Sequence, residues 1–455
     1  MSAAVAVTAA SAPRRKFGLW LATALVVGNI IGSAIFMLPA GLAPFGWNAV
    51  AAWVVTAIGS RALAWVFAML SRALPGAGGS YGFMRVGFGD GVAFLGAWGY
   101  IMSIWSANAA ITIAGVSYAT RLVPSIGTMP LGEPITAYAG IWLLTLVNLR
   151  GLRDAGVVQF VTSVVKVLPF AAVIGLAAWR LAGGGMATLP PLEAGTLTLA
   201  GTSGALGLTL YAMLGLESAT VPADAVDDPA RTVPRATMIG TAFSGMLSLI
   251  ATCAVALMLP ADAVHASKAP VSDFIALSWG DVAGGFVAFC AVVSCFGCLN
   301  GWLLLGGELP AAMAGSGTLP SWFGHRNARG AARHALLLGG VVTTALTTMA
   351  YTKVGVAAYN FAALLSTATS LVMYLLCAIA AVRFLRDGRL PRSLGAWVAA
   401  TLAIAFSVWA FYGSGWEALG WGAVLIAAGW PIYKVAHRAA RAARAARAAA
   451  GAVRA

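Results

Sequence analysis

Apolar residues in this chain come in long unbroken runs, each ended by charge, proline or turn residues, and such runs recur from one end to the other. Segments of about ten residues that alternate apolar and polar, the pattern of a membrane β-barrel, do not occur. A helix crosses a bilayer with about 20 apolar residues, because all its backbone N–H and C=O groups are then paired within the helix. Twelve such spans are expected, near 17–40, 47–70, 91–120, 134–149, 156–179, 200–222, 236–260, 282–312, 335–352, 355–381, 394–412 and 416–433. The fold class predicted is an all-α polytopic membrane protein.

Within that pattern the first span is interrupted at its middle by Gly28-Asn29-Ile30-Ile31-Gly32-Ser33-Ala34. Glycine weakens a helix interior by about 1 kcal/mol and lets the backbone be approached, so this span is expected to open at mid-membrane. Opened backbone is tolerated in lipid only where it lines an enclosed cavity, although Gly28 and Gly32 also fit the small-xxx-small pattern of close helix packing. The sixth span is interrupted in the same way at Tyr211-Ala-Met-Leu-Gly215-Leu-Glu217-Ser218. Breaks five spans apart point to an inverted repeat, with spans one to five and six to ten as its halves and the last two appended. That spacing favours a binding site over a packing face. The expected organisation is a segment 1–16, a transport core 17–381, an appended helix pair 382–433 and a basic tail 434–455.

Composition sharpens the class. The chain has 455 residues, 60% of them hydrophobic and 9% charged, with mean hydropathy +0.87, too little charge to cover a soluble domain. Its net charge of +14 might suggest nucleic acid, but the basic residues are spread over loops rather than gathered on one face. With the N-terminus assigned to the cytoplasm, most of the 28 Lys and Arg residues fall inside, and only Arg121, Arg180, Lys268 and Lys353 outside. The positive-inside rule then gives a bacterial inner-membrane protein with both termini cytoplasmic and Arg14, Arg15 and Lys16 as a flank rather than a signal peptide. The Arg438–Arg447 tail sets arginines three apart in alanine, a stripe suited to an anionic lipid surface or a solvated end. Cys295 and Cys298 form a CxxC without a second pair or nearby histidines, so they are expected to be small core residues, with no metal and no cofactor. Gly76-Ala-Gly-Gly79 lacks the Lys-Ser/Thr of a nucleotide loop, and no enzyme chemistry is implied.

The breaks also suggest what is bound. The amide-rich start of the second half of span one, around Ser33 and Ala34, suits a carboxylate, and the carbonyl-rich ends near Ile30 and Leu210–Met213 suit an ammonium. Together they would hold the α-groups of an amino acid. Asn108, Trp302 and Ser366 are polar or aromatic residues in apolar spans that could read the rest of the ligand, tryptophan through its face at about 0.5–2 kcal/mol. Each of these types is also common in helix packing. Glu217 is the one acid at mid-membrane, where a charge needs a partner or water. Lys166, in the middle of span five, either exchanges a proton or acts as a fixed cation propping span one. Arg61 is expected to snorkel and Glu308 to be wetted. A channel would need a continuous polar stripe, and the polar residues are isolated.

The stretches Gly28–Ala34, Pro75–Tyr81, Gly215–Ser218 and Asn300–Trp302 together resemble the basic amino acid/polyamine antiporter family of the amino acid/polyamine/organocation superfamily, over about Lys16 to Met373. The resemblance implies twelve helices in a 5+5 repeat, and exchange of an arginine-like amino acid for a decarboxylated amine of agmatine or polyamine type. It also implies homodimers through the last two spans. It places Ile30, Gly32, Ser33, Ala34, Tyr211 and Leu214 at the substrate, with Ser33 on its carboxylate and Asn108, Trp302 and Ser366 on its distal cation. Tyr100, Tyr211, Glu217 and Tyr374 would gate, and Tyr81, with Lys166 and Glu217, would couple to protons or pH. The chain departs from the pattern at Ala34, Ile104, Ile111, Tyr211 and Leu214, and at Lys166, which other exchangers and proton-coupled members of the superfamily carry. Proton-coupled uptake of neutral amino acids is the alternative those departures favour.

Overall fold

A computed structural model describes residues 18–74, 79–150, 166–183, 189–193, 195–217 and 227–438. The N-terminal segment, the start of the Pro75–Tyr81 loop, the first part of span five, Ser218 and the end of the basic tail lie outside the described residues. The described chain is helical: α1 (Leu19–Ile30), α2 (Ala34–Leu42), α3 (Trp47–Ala73), α4 (Gly79–Phe88), α5 (Asp90–Leu122), α6 (Gly132–Leu149) and α7 (Val167–Ala182). It continues with α8 (Leu199–Tyr211), α9 (Pro229–Met258), α10 (Pro270–Gly315), α11 (Arg333–Ala350), α12 (Val356–Arg386), α13 (Leu394–Gly413) and α14 (Gly415–Ala427). Among the described residues, eight helices are long and apolar enough to cross a membrane, with α1 and α2 counted as one. The shorter α6, α7, α8 and α11 fall within the fourth, fifth, sixth and ninth expected spans. Described chain is missing beside two of them, before α7 and after the turn that follows α8.

Span one is indeed two helices. Regular structure stops at Ile30 and resumes at Ala34, with Ser33 as the cap of α2. The sixth span breaks at the expected place: α8 ends at Tyr211, and 212–217 form a turn in which Gly215 has φ +101°. Such a φ is strained for any residue with a Cβ, which is why a glycine stands there. Span eight is longer than its apolar run predicted. Helix α10 covers 46 residues because a preceding segment joins it across Gly280, at φ +83°.

The middle of the molecule is α5, whose apolar window is 100% buried, whereas only 17% of the corresponding window around α14 is buried. A helix apolar on all sides belongs in the core of a bundle, and α5 accordingly packs most extensively on α10 and α12. Helix α9 lies against α3 and α1. Inside this apolar packing a few side chains pin the helices: Thr56 to Thr209 at 2.7 Å, the Trp53 indole donating to Thr252 at 2.9 Å, and Asn148 donating to Asn300 Oδ1 at 3.0 Å. Buried polar groups must be paired to be tolerated, so each such bond fixes the register of two helices.

Candidate substrate site

The two interrupted segments meet. A Cβ on Gly215 would lie 3.2 Å from Asn29 Cβ and 3.3 Å from its carbonyl carbon, so the turn after α8 rests on the end of α1 with no side chain between them. Beside this contact is a small cavity lined by Asn29, Ile30, Gly32, Ser33 and Ala34 from the first break, and by Tyr211 and Leu214 from the second. Ala107 and Ile111 of α5 and Cys298 and Trp302 of α10 complete its wall. Its volume is about 20 Å³, room for about one water. An amino acid enters only if these walls part.

Each feature of the wall follows from the break. Ending α1 at Ile30 leaves carbonyls without intrahelical partners, and Lys166, 2% exposed, donates from Nζ to one of them, Gly28 O, at 3.2 Å. Starting α2 at Ala34 leaves amides free at the cavity, the partial positive end of a helix. Ser33 caps that end without a hydrogen bond: its hydroxyl is buried, near the Tyr211 and Tyr359 hydroxyls, and makes no bond of ordinary geometry to either. An unpaired buried hydroxyl costs about 1–3 kcal/mol, which a ligand carboxylate would recover. The Tyr211 ring packs edge-on to Tyr359 with centroids 6.0 Å apart. Among the described residues no carboxylate lines the cavity; the cation-facing surfaces are the Tyr211 and Trp302 rings and the free carbonyls.

Most of the residues expected at the substrate are therefore gathered: Ile30, Gly32, Ser33, Ala34, Tyr211, Leu214 and Trp302 all line the cavity. Asn108 and Ser366 do not. Asn108 is fully buried between the lining residues Ala107 and Ile111, and neither its oxygen nor its nitrogen has a partner. Ser366 donates to Ser103 O at 2.9 Å and lies 3.1 Å from Ser103 Oγ, tying α12 to α5. Three of the residues expected to gate also come together: Glu217 is fully buried and accepts hydrogen bonds from Tyr100 and, at 2.5 Å, from Tyr374. Two phenols on one buried carboxylate thus tie α5 and α12 to the end of the turn that follows α8. Tyr81 stands apart, 2.8 Å from Thr318, and burial pushes its phenol above the ordinary tyrosine range. Arg61 is exposed on α3, and Glu308 is ion-paired with Arg326 at 2.7 Å.

Sequence reasoning missed Ala107 and, of more consequence, Cys298. Its sulfur sits against Gly32, 2.7 Å from where a Cβ would be, and it lines the cavity. Cys295 and Cys298 were expected in the core, and both are buried there, but Cys298 also forms wall. Its place one turn before Trp302 on α10 was the available signal. Among the described residues no cluster of His, Cys, Asp or Glu could hold a metal.

Two broken helices meeting at a small cavity between membrane-crossing helices define a membrane transporter of the broken-helix type. The chain belongs to the amino acid permease family, whose model matches residues 17–427, and within it to the basic amino acid/polyamine antiporters. It is 30% identical to the putrescine transporter PotE of Haemophilus influenzae, over 93% of this chain and 97% of that protein. It is 31% identical to the cadaverine/lysine antiporter of Escherichia coli, over 73% of this chain and 74% of the other. The fold is shared with MhsT, solved in complex with L-phenylalanine, at TM-score 0.61 and 14% identity, over 89% of this chain and all of that one.

Proposed function

We propose that this protein exchanges a cationic amino acid for its decarboxylated amine across the bacterial inner membrane, by alternating access. In this reading it has twelve spans in a 5+5 inverted repeat and both termini are cytoplasmic. The observation that carries it is the pairing, in one cavity, of the α2 amide end and the unbonded Ser33 hydroxyl with the free carbonyl end of α1 and two aromatic faces. The first pair suits a carboxylate, present in the amino acid and lost in the amine; the second suits ammonium groups, present in both. A ligand with and a ligand without the carboxylate can thus share the site, which is what an exchanger of this kind needs.

Arginine with agmatine is the pair first indicated by sequence. The relatives named for putrescine and for cadaverine and lysine make the shorter diamines and lysine equal contenders. Ile111 and Leu214 in the wall favour a ligand with an apolar stem over one with a broad guanidinium head. The second reading, proton-coupled uptake of neutral amino acids, is favoured by the place of Lys166, whose Nζ donates to Gly28 O and so holds the end of α1 beside the cavity.

The test uses purified protein in liposomes preloaded with unlabelled arginine, lysine or putrescine, with labelled uptake followed with and without a proton gradient. Uptake that requires an internal cationic partner and ignores the gradient supports exchange, and cross-competition names the pair. Gradient-driven alanine uptake, abolished by Lys166→Ala and indifferent to internal amines, would replace the exchange reading by the proton-coupled one.

A further inference from the structure

Away from the cavity, helices α3 and α9 enclose a second space of about 210 Å³ that opens sideways. Exposed Ala57, Arg61, Ala242 and Met246 form its mouth, and Met213, from the turn after α8, forms its floor. Large apolar side chains stand exposed all around the mouth: Val54 and Ile58 on α3, and Ile239, Phe243 and Ile250 on α9. In a membrane protein such a belt faces acyl chains rather than water. A guanidinium in that belt is costly, by about 2.5–3.5 kcal/mol on insertion scales, unless it finds a counter-charge. Arg61 has no ion pair or hydrogen bond with any described residue. By rise per residue it lies about 16 Å along α3 from Arg72, too far for its side chain alone to carry the charge to the end of the helix. Beside it Thr241, 4% exposed, lines the same space, and its hydroxyl has no partner, not even the preceding turn of α9.

A cation without a counter-charge among the described residues, an unbonded hydroxyl and a methionine-lined slot open to lipid form a consistent set. We propose that this crevice binds an anionic phospholipid. Its phosphate is drawn to Arg61 and accepts from Thr241, and one acyl chain lies over Met238, Met246 and Leu249 down to Met213. Methionine is suited to this, being flexible and polarisable against a chain of variable shape. The floor gives the site its interest: Met213 belongs to the second break, and its methyl is the atom that a Cβ on Gly245 would meet, at 3.4 Å. A chain in the crevice therefore bears on the segment that lines the substrate cavity from its other side.

The binding is testable without any transport assay, so its outcome is independent of the proposed exchange. Full-length protein is stripped of lipid in detergent and titrated with phosphatidylglycerol, phosphatidylcholine or oleate, and bound molecules are counted by native mass spectrometry. The expected result is one phosphatidylglycerol bound about tenfold more tightly than phosphatidylcholine, whose choline cation offsets the phosphate charge beside Arg61. That preference should vanish in Arg61→Gln, survive in Arg61→Lys, and vanish in Ala242→Trp, which fills the mouth while keeping the cation. Equal phosphatidylglycerol binding by wild type, Arg61→Gln and Ala242→Trp would overturn the proposal. Oleate displacing phosphatidylglycerol at equal concentration would also overturn it, by making the occupant a fatty acid.

Discussion

Gly32 and Cys298 occupy one another's space. A Cβ on Gly32 would stand 2.7 Å from the Cys298 sulfur but 3.7 Å from its Cβ, so the conflict is with the thiol alone. Forcing a methyl into a packed wall costs about 1–3 kcal/mol. Gly32→Ala is therefore expected to weaken substrate binding by about tenfold or more, and Cys298→Ala, in the same chain, to restore most of it. Binding of labelled substrate to the four members of this double-mutant cycle measures it; a Gly32→Ala defect that Cys298→Ala leaves untouched would show that the glycine serves backbone freedom instead. Much of this site was legible from residue types alone. Serine, glycine and asparagine in an apolar run announce opened backbone, and Ser33, Tyr211 and Trp302 converge as expected. What could not be read was which side of a helix each residue occupies in a bundle where nearly every side is buried. Asn108 and Ser366 look as polar in sequence as Ser33 does, yet neither lines the cavity, and Cys298 looks like core and is wall.

At the scale of the element, the breaks were predictable because glycine has a local signature, whereas helix ends were not. The apolar run near 282–312 continues into α10 from Pro270, since a single glycine at φ +83° bends the chain without ending its apolar pattern. The break in the sixth span rests on a different glycine with a sharper requirement. Gly215 has φ +101°, and a Cβ there would lie 3.3 Å from the Asn29 carbonyl carbon, so it would meet both backbone strain and a neighbour that cannot rotate away. Gly46, at φ +50° before α3, has nothing within 4 Å. Both substitutions to alanine should lower Tm through strain of about 1–3 kcal/mol. Only Gly215→Ala should also abolish transport, because only there does the strain sit between two moving segments. Thermal scanning beside liposome uptake separates the two effects, and equal loss of transport in both variants would refute the distinction.

For the molecule as a whole, burial falls outward from α5 to α14. The last helix exposes Trp416, Trp421 and Val424, with Val424 57% exposed. Such a surface is either a lipid face or the seam of a pair, and the family resemblance implies the pair. Val424→Cys is therefore expected to give a disulfide-linked dimer in native membranes on mild oxidation, while Val341→Cys on α11, similarly exposed at 52%, stays monomeric. Equal crosslinking at both positions would mean random collision. What the contact of Asn29 with Gly215 adds is a constraint on how such a chain can diverge.

 The two breaks bear on each other backbone to backbone, so neither residue 29 nor residue 215 can drift without the other. A side chain added at one break is felt at the other. Divergence in what is carried is then left to wall residues such as Ile111, Leu214 and Cys298, which touch the cavity without holding the breaks together. A lineage can change its cargo while keeping its hinge.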